Sequence, residues 1–246
     1  MTINGWDIAA AGARQHNVSP GFHALSNSSD WVRGSPVPAL LRNELGFKPL
    51  TVVLMIKADS DRQRILRQCS EILTHLLDPA EIILDDFEHK FYGTLSKYSF
   101  EENPLGVPFV KYNRAAKLTL DFSGYEYMDD VPPVTGTGIV VVQNKGNILT
   151  PATVTVTPQI GAASVVLNGI CRDPYTLEDL PVTLKNLKTG EPVVLDGETY
   201  LFTQAGKLAP ENIDIWAPPT LLPGENRITI NNGRMEIAVG FRPRFM

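Results

Sequence analysis

Cysteine and histidine are scarce in this chain, with two cysteines and four histidines among 246 residues. Cys69 and Cys171 lie far apart, one in an apolar helical pattern and the other just after a strand-like run. Both fit the usual behaviour of cysteine as a small buried hydrophobic residue, so no disulfide framework is expected. Two cysteines without histidines close by also cannot supply a zinc site.

The chain also lacks a long apolar run and an excess of positive charge. No stretch approaches the roughly 18 apolar residues of a membrane span, and the first residues have neither the basic start nor the apolar core of a secretory signal. The formal net charge is −5, against the usual footprint of a nucleic-acid groove. The nearest basic cluster, Arg62, Arg64 and Arg67, is interpreted as the solvated face of a helix. We therefore expect a protein that stays soluble in a cytoplasm, with no membrane partner.

Catalytic signatures are missing as well. There is no G-x-S-x-G elbow and no G-K-[ST] loop, and Gly136-x-Gly138 precedes a strand instead of joining a strand to a helix. A dense polar cluster with a histidine is interpreted as a hairpin turn, since aspartate is favoured in turns; its members are Asp85, Asp86, Glu88 and His89. The sequence thus predicts a protein that is not an enzyme and holds no cofactor or metal.

Residues 1–128 are predicted to form an α+β domain with a small, barrel-like antiparallel sheet and one helix. Residues 50–56, LTVVLMI, indicate a buried strand. A helix is predicted over 61–77, ending at Asp78-Pro79, and a hairpin around the turn 85–88. A further strand is expected over 109–122. The apolar face of the helix comprises Ile65, Leu66, Cys69, Ile72, Leu73, Leu76 and Leu77.

Within this domain, residues 1 to about 48 combine many turn formers with large apolar side chains. Such an irregular apolar segment is uncommon as a free loop, so it must pack on its own domain or on a neighbouring copy. We predict an extended arm that crosses the adjacent subunit. The candidate interface residues are Phe22, Leu25, Trp31, Val32, Leu40 and Leu41.

Residues 129–138 contain two adjacent prolines and no apolar period, which predicts a linker. Beyond it, residues 139–246 read as strands about ten residues apart with Asn-Gly and Asp-Gly turns, the pattern of a β-sandwich. Tyr200 and Trp216 are candidates for stacking against a sugar, although aromatic residues in β domains more often belong to the core.

The order of these elements resembles the distal tail protein family of siphophages over nearly the whole chain. The strand, helix and hairpin that end in Tyr92-Gly93-Thr94-Leu95 are similar to the family's first domain. The second domain is similar to the family's galectin-like sandwich. It starts with Gly146-Asn147 and Thr150-Pro151, and its final hairpin follows the Leu222-Pro223-Gly224-Glu225-Asn226 turn.

This resemblance implies a structural virion protein. Copies would assemble into a hexameric ring whose first domains line a channel for the genome, with the sandwiches projecting outward. The implied partners are further copies of the chain, the tail tube protein, a tail-tip or tail-associated lysin-type protein, and receptor-binding proteins; DNA would only pass through. The implied place is the tail tip of the virion, after assembly in the host cytoplasm. The alternative is a carbohydrate-binding module for host adhesion.

Overall fold

The computed structural model describes residues 1–30, 33, 36, 39–58, 62–102, 114–173 and 176–246. The protein is mainly β, with antiparallel sheets and, in these ranges, a single α-helix, as the sequence predicts. The chain divides into two compact units, which are Met1–Tyr127 with Met246 and Met128–Phe245. Each unit has a buried apolar core of its own.

The described residues of the first unit form nine strands, one α-helix and a short 3-10 helix, and their order follows the predicted strand, helix and hairpin. Their bounds are β1 Thr2–Ile3, β2 Trp6–Asp7, the 3-10 helix Ile8–Ala11, β3 Ala13–Pro20, β4 Leu25–Asp30, β5 Ala39–Leu45, β6 Lys48–Ala58, α1 Arg62–Thr74, β7 Ala80–Ile83, β8 Lys90–Glu102 and β9 Arg114–Tyr127.

The main sheet of this unit is open, with strands in the order β2-β1-β7-β8-β9-β6-β3. The expected barrel-like closure is therefore wrong for the described residues: the path runs from β2 to β3 without returning. Strand β6 buries every second side chain, from Leu50 to Ile56, because successive side chains point to opposite faces of a sheet. Helix α1 covers that face with Ile65, Cys69 and Ile72.

The expectation of an irregular arm over residues 1–48 is wrong for its first 20 residues. Ile3, Ile8, Ala11 and Ala13 are buried in the core of the first unit, and β3 pairs along β6. These residues carry no visible period because β1 and β2 have only two residues each and β3 lies at the edge of the sheet. An edge strand is polar on much of its surface, so its sequence lacks the apolar alternation of an inner strand.

The second unit consists of short strands, as the spacing of its turns predicts. Their bounds are β10 Val131–Thr137, β11 Ile139–Asn144, β12 Thr150–Pro158, β13 Ala162–Arg172, β14 Asp179–Leu187, β15 Val193–Asp196, β16 Phe202–Gln204, β17 Lys207–Leu208, β18 Ile213–Asp214, β19 Thr220–Leu221, β20 Gly224–Ile230, β21 Met235–Phe241 and β22 Arg244–Phe245, with a 3-10 helix Pro210–Asn212.

Two sheets bury one shared core in this unit. One has the order β10-β21-β12-β15-β16-β17, with β19 paired to β12, and the other β11-β20-β13-β14-β18. Fully buried side chains from both, such as Val154 and Leu167, belong to the same cluster. Two antiparallel sheets that share one core form a β-sandwich.

The predicted linker over 129–138 is wrong as an irregular connection, because Val131–Thr137 is a strand that pairs with β21. The register shifts between Val131 and Val134, where Pro132 and Pro133 stand. Proline has no amide proton for the ladder, so it is confined to edge strands and bulges, and β10 is an edge strand. The two prolines therefore mark a bulge at a sheet edge.

A buried polar network explains two of the motifs in the second unit. Asn226 accepts from the Leu222 amide at 2.8 Å and donates to the carbonyls of Leu222 and Gly224. Asn144 donates to Leu222 O at 3.2 Å and to Thr150 Oγ1 at 3.1 Å. The Leu222–Asn226 turn and Thr150 thus meet in the fold, and buried amides need such partners.

Candidate assembly surface

The first unit contains a two-stranded hairpin that is separate from its main sheet. Strands β4 and β5 pair with each other, with Leu25 opposite Leu45, and together form a separate sheet. We call residues 22–47 the arm. A lone two-stranded hairpin is only marginally stable in water, because it has no sheet or helix on which to bury its side chains. A hairpin of this kind gains stability when it packs on another surface.

Four large apolar side chains at the base of the arm are exposed, and we call them the arm root. Phe22 is 80% exposed, Leu25 60%, Leu45 42% and Phe47 72%. Apolar groups clustered in water in this way mark an interaction surface more often than isolated exposed leucines do. Among the predicted interface residues, Phe22 and Leu25 belong to this root.

The other predicted interface residues cannot be assigned to the arm root. Trp31 and Val32 lie outside the described residues. Leu40 and Leu41 are in β5, and their side chains lie outside the described part of the chain. The prediction that the six residues form an interface therefore stays a prediction.

Short hydrogen bonds tie the two ends of the arm together. The Gly21 amide donates to Pro49 O at 2.9 Å, and the Gly46 amide donates to Ala24 O at 2.7 Å. His23 Nδ1 contacts Gly46 O at 2.5 Å, and since a carbonyl only accepts, Nδ1 carries the proton. A side chain at Gly21 would meet the Pro49 ring at 2.5 Å, so only glycine fits there. These hydrogen bonds and the glycine at position 21 define the point at which the arm leaves the sheet.

A buried charge holds the strand that follows the arm. Lys48 is 5% exposed, and its Nζ donates to Glu126 Oε2 on β9. His89 Nδ1 contacts the other carboxylate oxygen of Glu126. A buried ammonium group needs such a partner, because leaving it unpaired in an apolar environment is costly. His89 of the polar cluster is thus engaged with Glu126.

An apolar groove opens between α1 and β8 on the first unit. It has a volume of about 430 Å³, and we call it the α1–β8 groove. Its walls are Leu66, Leu73, Leu77, Tyr98 and Phe100, and Cys69 and Leu118 also line it. Leu77 is 81% exposed, Tyr98 56% and Leu66 45%. The helical period predicts Leu66 and Leu77 on the covered face, whereas both stand at the rim of the groove.

Burial also affects the one cysteine in this groove. Cys69 is 6% exposed, and burial raises the pKa of its thiol to about 11. The neutral thiol is a poor nucleophile at neutral pH, so Cys69 behaves as an inert wall residue.

Strand β8 has a free edge beside the groove. On the side away from β9, β7 pairs with Phe91–Gly93, and no described strand pairs with Thr94–Glu102. Each residue from Ser96 to Glu101 is exposed, so the alternation of buried and exposed side chains ends at Leu95. An unpaired edge presents backbone amides and carbonyls that another strand can pair with.

The Tyr92–Leu95 motif marks the closest approach of β8 and β9. Gly93 lies opposite Gly124, and a Cβ on Gly124 would stand 2.1 Å from Tyr92 O. The flanking rings of Tyr92 and Tyr125 pack at a centroid distance of 5.6 Å. The glycine pair is therefore required by the approach of the two backbones.

The two candidate sugar-stacking residues lie on the surface of the second unit. Trp216 is 87% exposed and follows β18, and Tyr200 is 64% exposed in the turn between β15 and β16. Tyr200 has a positive φ of 59°, which is uncommon for a residue with a side chain. Neither ring belongs to the core, so the core interpretation of these two aromatics is wrong.

Within the described ranges, no group of three or more His, Cys, Asp or Glu side chains could hold a metal ion. The helix that these ranges contain is too short and too polar to cross a membrane.

Comparison with solved structures identifies the class of fold. The chain shares its fold with a protein described as "SPP1 Dit (gp 19.1) Protein, a Paradigm of Hub Adsorption Apparatus in Gram-positive Infecting Phages". The TM-score is 0.72 at 13% identity, covering 99% of this chain and 98% of that chain. This match confirms the mainly β, antiparallel fold with a single helix that the sequence predicts.

Two chains from baseplate structures match less well. One is from the phage P2 baseplate in its activated conformation with Ca, with a TM-score of 0.47, 11% identity and coverage of 98% of this chain and 94% of that chain. The other is from the phage p2 baseplate in its activated conformation with Sr, with a TM-score of 0.43, 11% identity and coverage of 96% and 92%. No protein-family model and no curated protein matches the chain.

Sequence reasoning thus selected part of the candidate assembly surface. It selected Phe22 and Leu25 but missed Leu45, Phe47 and the α1–β8 groove. Phe47 could have been found, since it is a large apolar residue between Gly46 and Lys48 in the segment already singled out. The groove could not, because its existence depends on how far β8 extends beyond α1.

Proposed function

We propose that this chain is the structural hub at the distal end of a siphophage tail. Copies form a hexameric ring that joins the tail tube to tail-tip or baseplate proteins and leaves a central channel for the genome. The protein acts by assembly and not by catalysis. Its partners are further copies of itself, the tail tube protein, and a tail-tip or lysin-type protein with receptor-binding proteins beyond it.

The observation that carries this proposal is the exposed arm of the first unit. A separate two-stranded sheet with four large apolar side chains exposed to water is unfavourable in a monomer, because neither the strands nor the side chains are buried. An arm on one side of a unit that packs on a different surface of the next copy is a heterologous contact, and such contacts form a ring when the rotation between neighbouring copies closes. The fold shared with the SPP1 Dit protein over 99% of the chain supports the same role.

The test is the mass of the purified protein in solution. A hub ring gives about six times the 27.1 kDa of one chain by sedimentation or mass photometry, and a ring with a hole by electron microscopy. A variant in which a short Gly-Ser turn replaces residues 22–47 should be monomeric. Because Gly21 already bonds to Pro49, this turn closes ends that lie together, and both units should keep their β signal in circular dichroism.

A matched control removes an exposed leucine elsewhere. Leu149→Ser changes a residue that is 42% exposed in the second unit and should leave the ring intact. A monomeric wild-type protein would contradict the proposal, as would a variant without the arm that still forms the ring.

Sugar binding is a second candidate, favoured by the exposed rings of Trp216 and Tyr200. Aromatic rings in water offer an apolar face on which a sugar can stack. Trp216→Ala should then abolish retention on a glycan array while the ring mass stays the same. Equal retention of the variant and the wild type would remove this candidate.

A further inference from the structure

The first unit has two surfaces that each combine an unpaired strand edge, within the described residues, with exposed apolar side chains. The arm offers a two-stranded sheet whose strands, of six and seven residues, each have one edge that no described strand pairs with. Strand β8 offers an unpaired edge from Thr94 to Glu102 in the described part of the sheet. Strand addition to such an edge is a common way to bind an extended segment, because main-chain hydrogen bonds give affinity and neighbouring pockets give specificity.

The apolar parts of the two surfaces also match. The arm root exposes two phenylalanines and two leucines, and the α1–β8 groove exposes leucines together with Tyr98 and Phe100. The groove lies directly beside the free edge, since Tyr98 and Phe100 belong to both. A strand that pairs with this edge therefore brings its flanking side chains to the groove.

The other free edge of the sheet does not suit this groove. Strand β3 has the sequence ARQHNVSP, and Val18, its one large apolar residue, packs against the core of its own unit. A second β3 strand could satisfy the amides of β8 but has no side chains to fill an apolar groove. The arm satisfies both requirements, which decides between the two occupants.

We infer that the arm of one copy extends the sheet of the next copy at β8 and places its root in the α1–β8 groove. This inference rests on the proposed ring and specifies its contact. Every copy gives one arm and receives one, so the contact is heterologous and repeats around the ring. The occupant is a second copy of this chain, which supplies arms and grooves in equal number.

Cysteine cross-linking tests the contact directly. Phe22 and Leu77 are 80% and 81% exposed, so Phe22→Cys and Leu77→Cys should leave folding unchanged. Both native cysteines are buried and add little background. Mixing the two single variants under mild oxidation should give covalent dimers, and the double variant should give a ladder that ends at the closed ring. Phe22→Cys mixed with Leu149→Cys is the matched control and should stay monomeric on a denaturing gel.

Hydrogen exchange tests the strand pairing separately. In the assembled wild type, the outward amides of Thr94–Glu102 should exchange more than about tenfold more slowly than in the variant whose arm is replaced by a turn. Fast exchange in the assembled protein would overturn strand addition at β8.

The outcomes separate this inference from the proposed function. A ring of the expected mass without Phe22–Leu77 cross-links would overturn the inference and leave the hub proposal standing. A double variant that cross-links only within single chains would also overturn it, because the arm would then fold onto its own groove. A monomeric wild type would overturn both.

Discussion

The two units of this protein differ in how completely they bury their own surfaces. In the second unit, two sheets face each other over one core, and exposed apolar residues such as Leu149, Ile160 and Leu177 stand in turns. In the first unit, one short helix covers one face of a sheet whose strand β8 extends beyond the described core, leaving the arm root and the groove open. The second unit resembles a complete small domain, whereas the first leaves the arm root and the α1–β8 groove exposed.

This difference is the reason for proposing that the first unit makes the assembly contacts. When an apolar surface of a monomer is buried in a complex, apolar area is removed from water, which lowers the free energy of the complex. Surface leucines in turns contribute less, since each meets only part of a partner. The variants that follow test whether the two units unfold separately. They also test whether the stability of the first unit depends on the Lys48–Glu126 pair and on the Trp6–His75 contact.

The largest expected effects come from the two cores. Leu54→Ala in the first unit and Leu167→Ala in the second each remove a fully buried side chain and should cost about 2–5 kcal/mol of unfolding free energy. If the units unfold separately, calorimetry should show Leu54→Ala lowering one transition and Leu167→Ala lowering the other. A single transition that both variants lower equally would break the comparison.

Glu126→Ala should have the next largest effect, because it removes the carboxylate that pairs with buried Lys48. Removing one partner of a buried pair costs about 3–5 kcal/mol, and we expect about 2–3 here because the Glu126 side chain is 20% exposed. Denaturant unfolding of the first unit measures it. The control is Glu101→Ala, whose partner Lys117 is exposed at 3.6 Å and which should cost under about 1 kcal/mol. Equal losses for both would show that Lys48 does not depend on Glu126.

Asn226→Ala tests the second unit at its buried network. The variant leaves the Leu222 amide and the Gly224 carbonyl without their side-chain partner, while the Leu222 carbonyl keeps its bond from Asn144. This should cost about 1–3 kcal/mol. Asn232→Ala removes a similar side chain that bonds only the Arg234 amide in an exposed turn, and serves as the control. The loss should appear in the unfolding of the second unit and leave the ring mass unchanged. A dissociated ring would place assembly contacts in the second unit.

The sequence predicts the regular parts of both units because their patterns depend on local burial. The alternation of β6 and the helical period of α1 follow directly from which side chains face the core. The regular turns of the second unit likewise predict its sandwich. Strands β1 to β3 and β10 are not predictable in this way, because short or edge strands need no apolar alternation and β10 accommodates two prolines at a bulge.

The assembly surface is harder to predict than the fold for a related reason. Periodicity places Leu66 and Leu77 on the apolar face of the helix, but it does not say how much sheet that face covers. Their exposure depends on the distance between α1 and the end of β8, which is a tertiary property. The apolar content of the arm is visible in the sequence, and the α1–β8 groove is not.

The smallest expected effect tests whether the first residues belong to the first unit. Trp6 on β2 stacks on His75, just after α1, with ring centroids 4.1 Å apart and planes 17° from parallel. Such a pair is worth about 0.5–1.5 kcal/mol beyond the area it buries. A double-mutant cycle of Trp6→Leu and His75→Ala should return a coupling energy in this range, measured by urea unfolding of the first unit. His16→Ala, at an exposed position on β3, provides the control and should show no coupling to Trp6→Leu. A coupling energy near zero for Trp6 and His75, together with fast amide exchange over residues 1–20, would contradict this assignment. Residues 1–20 would then not belong to the core of the first unit, and the arm would not begin at Phe22.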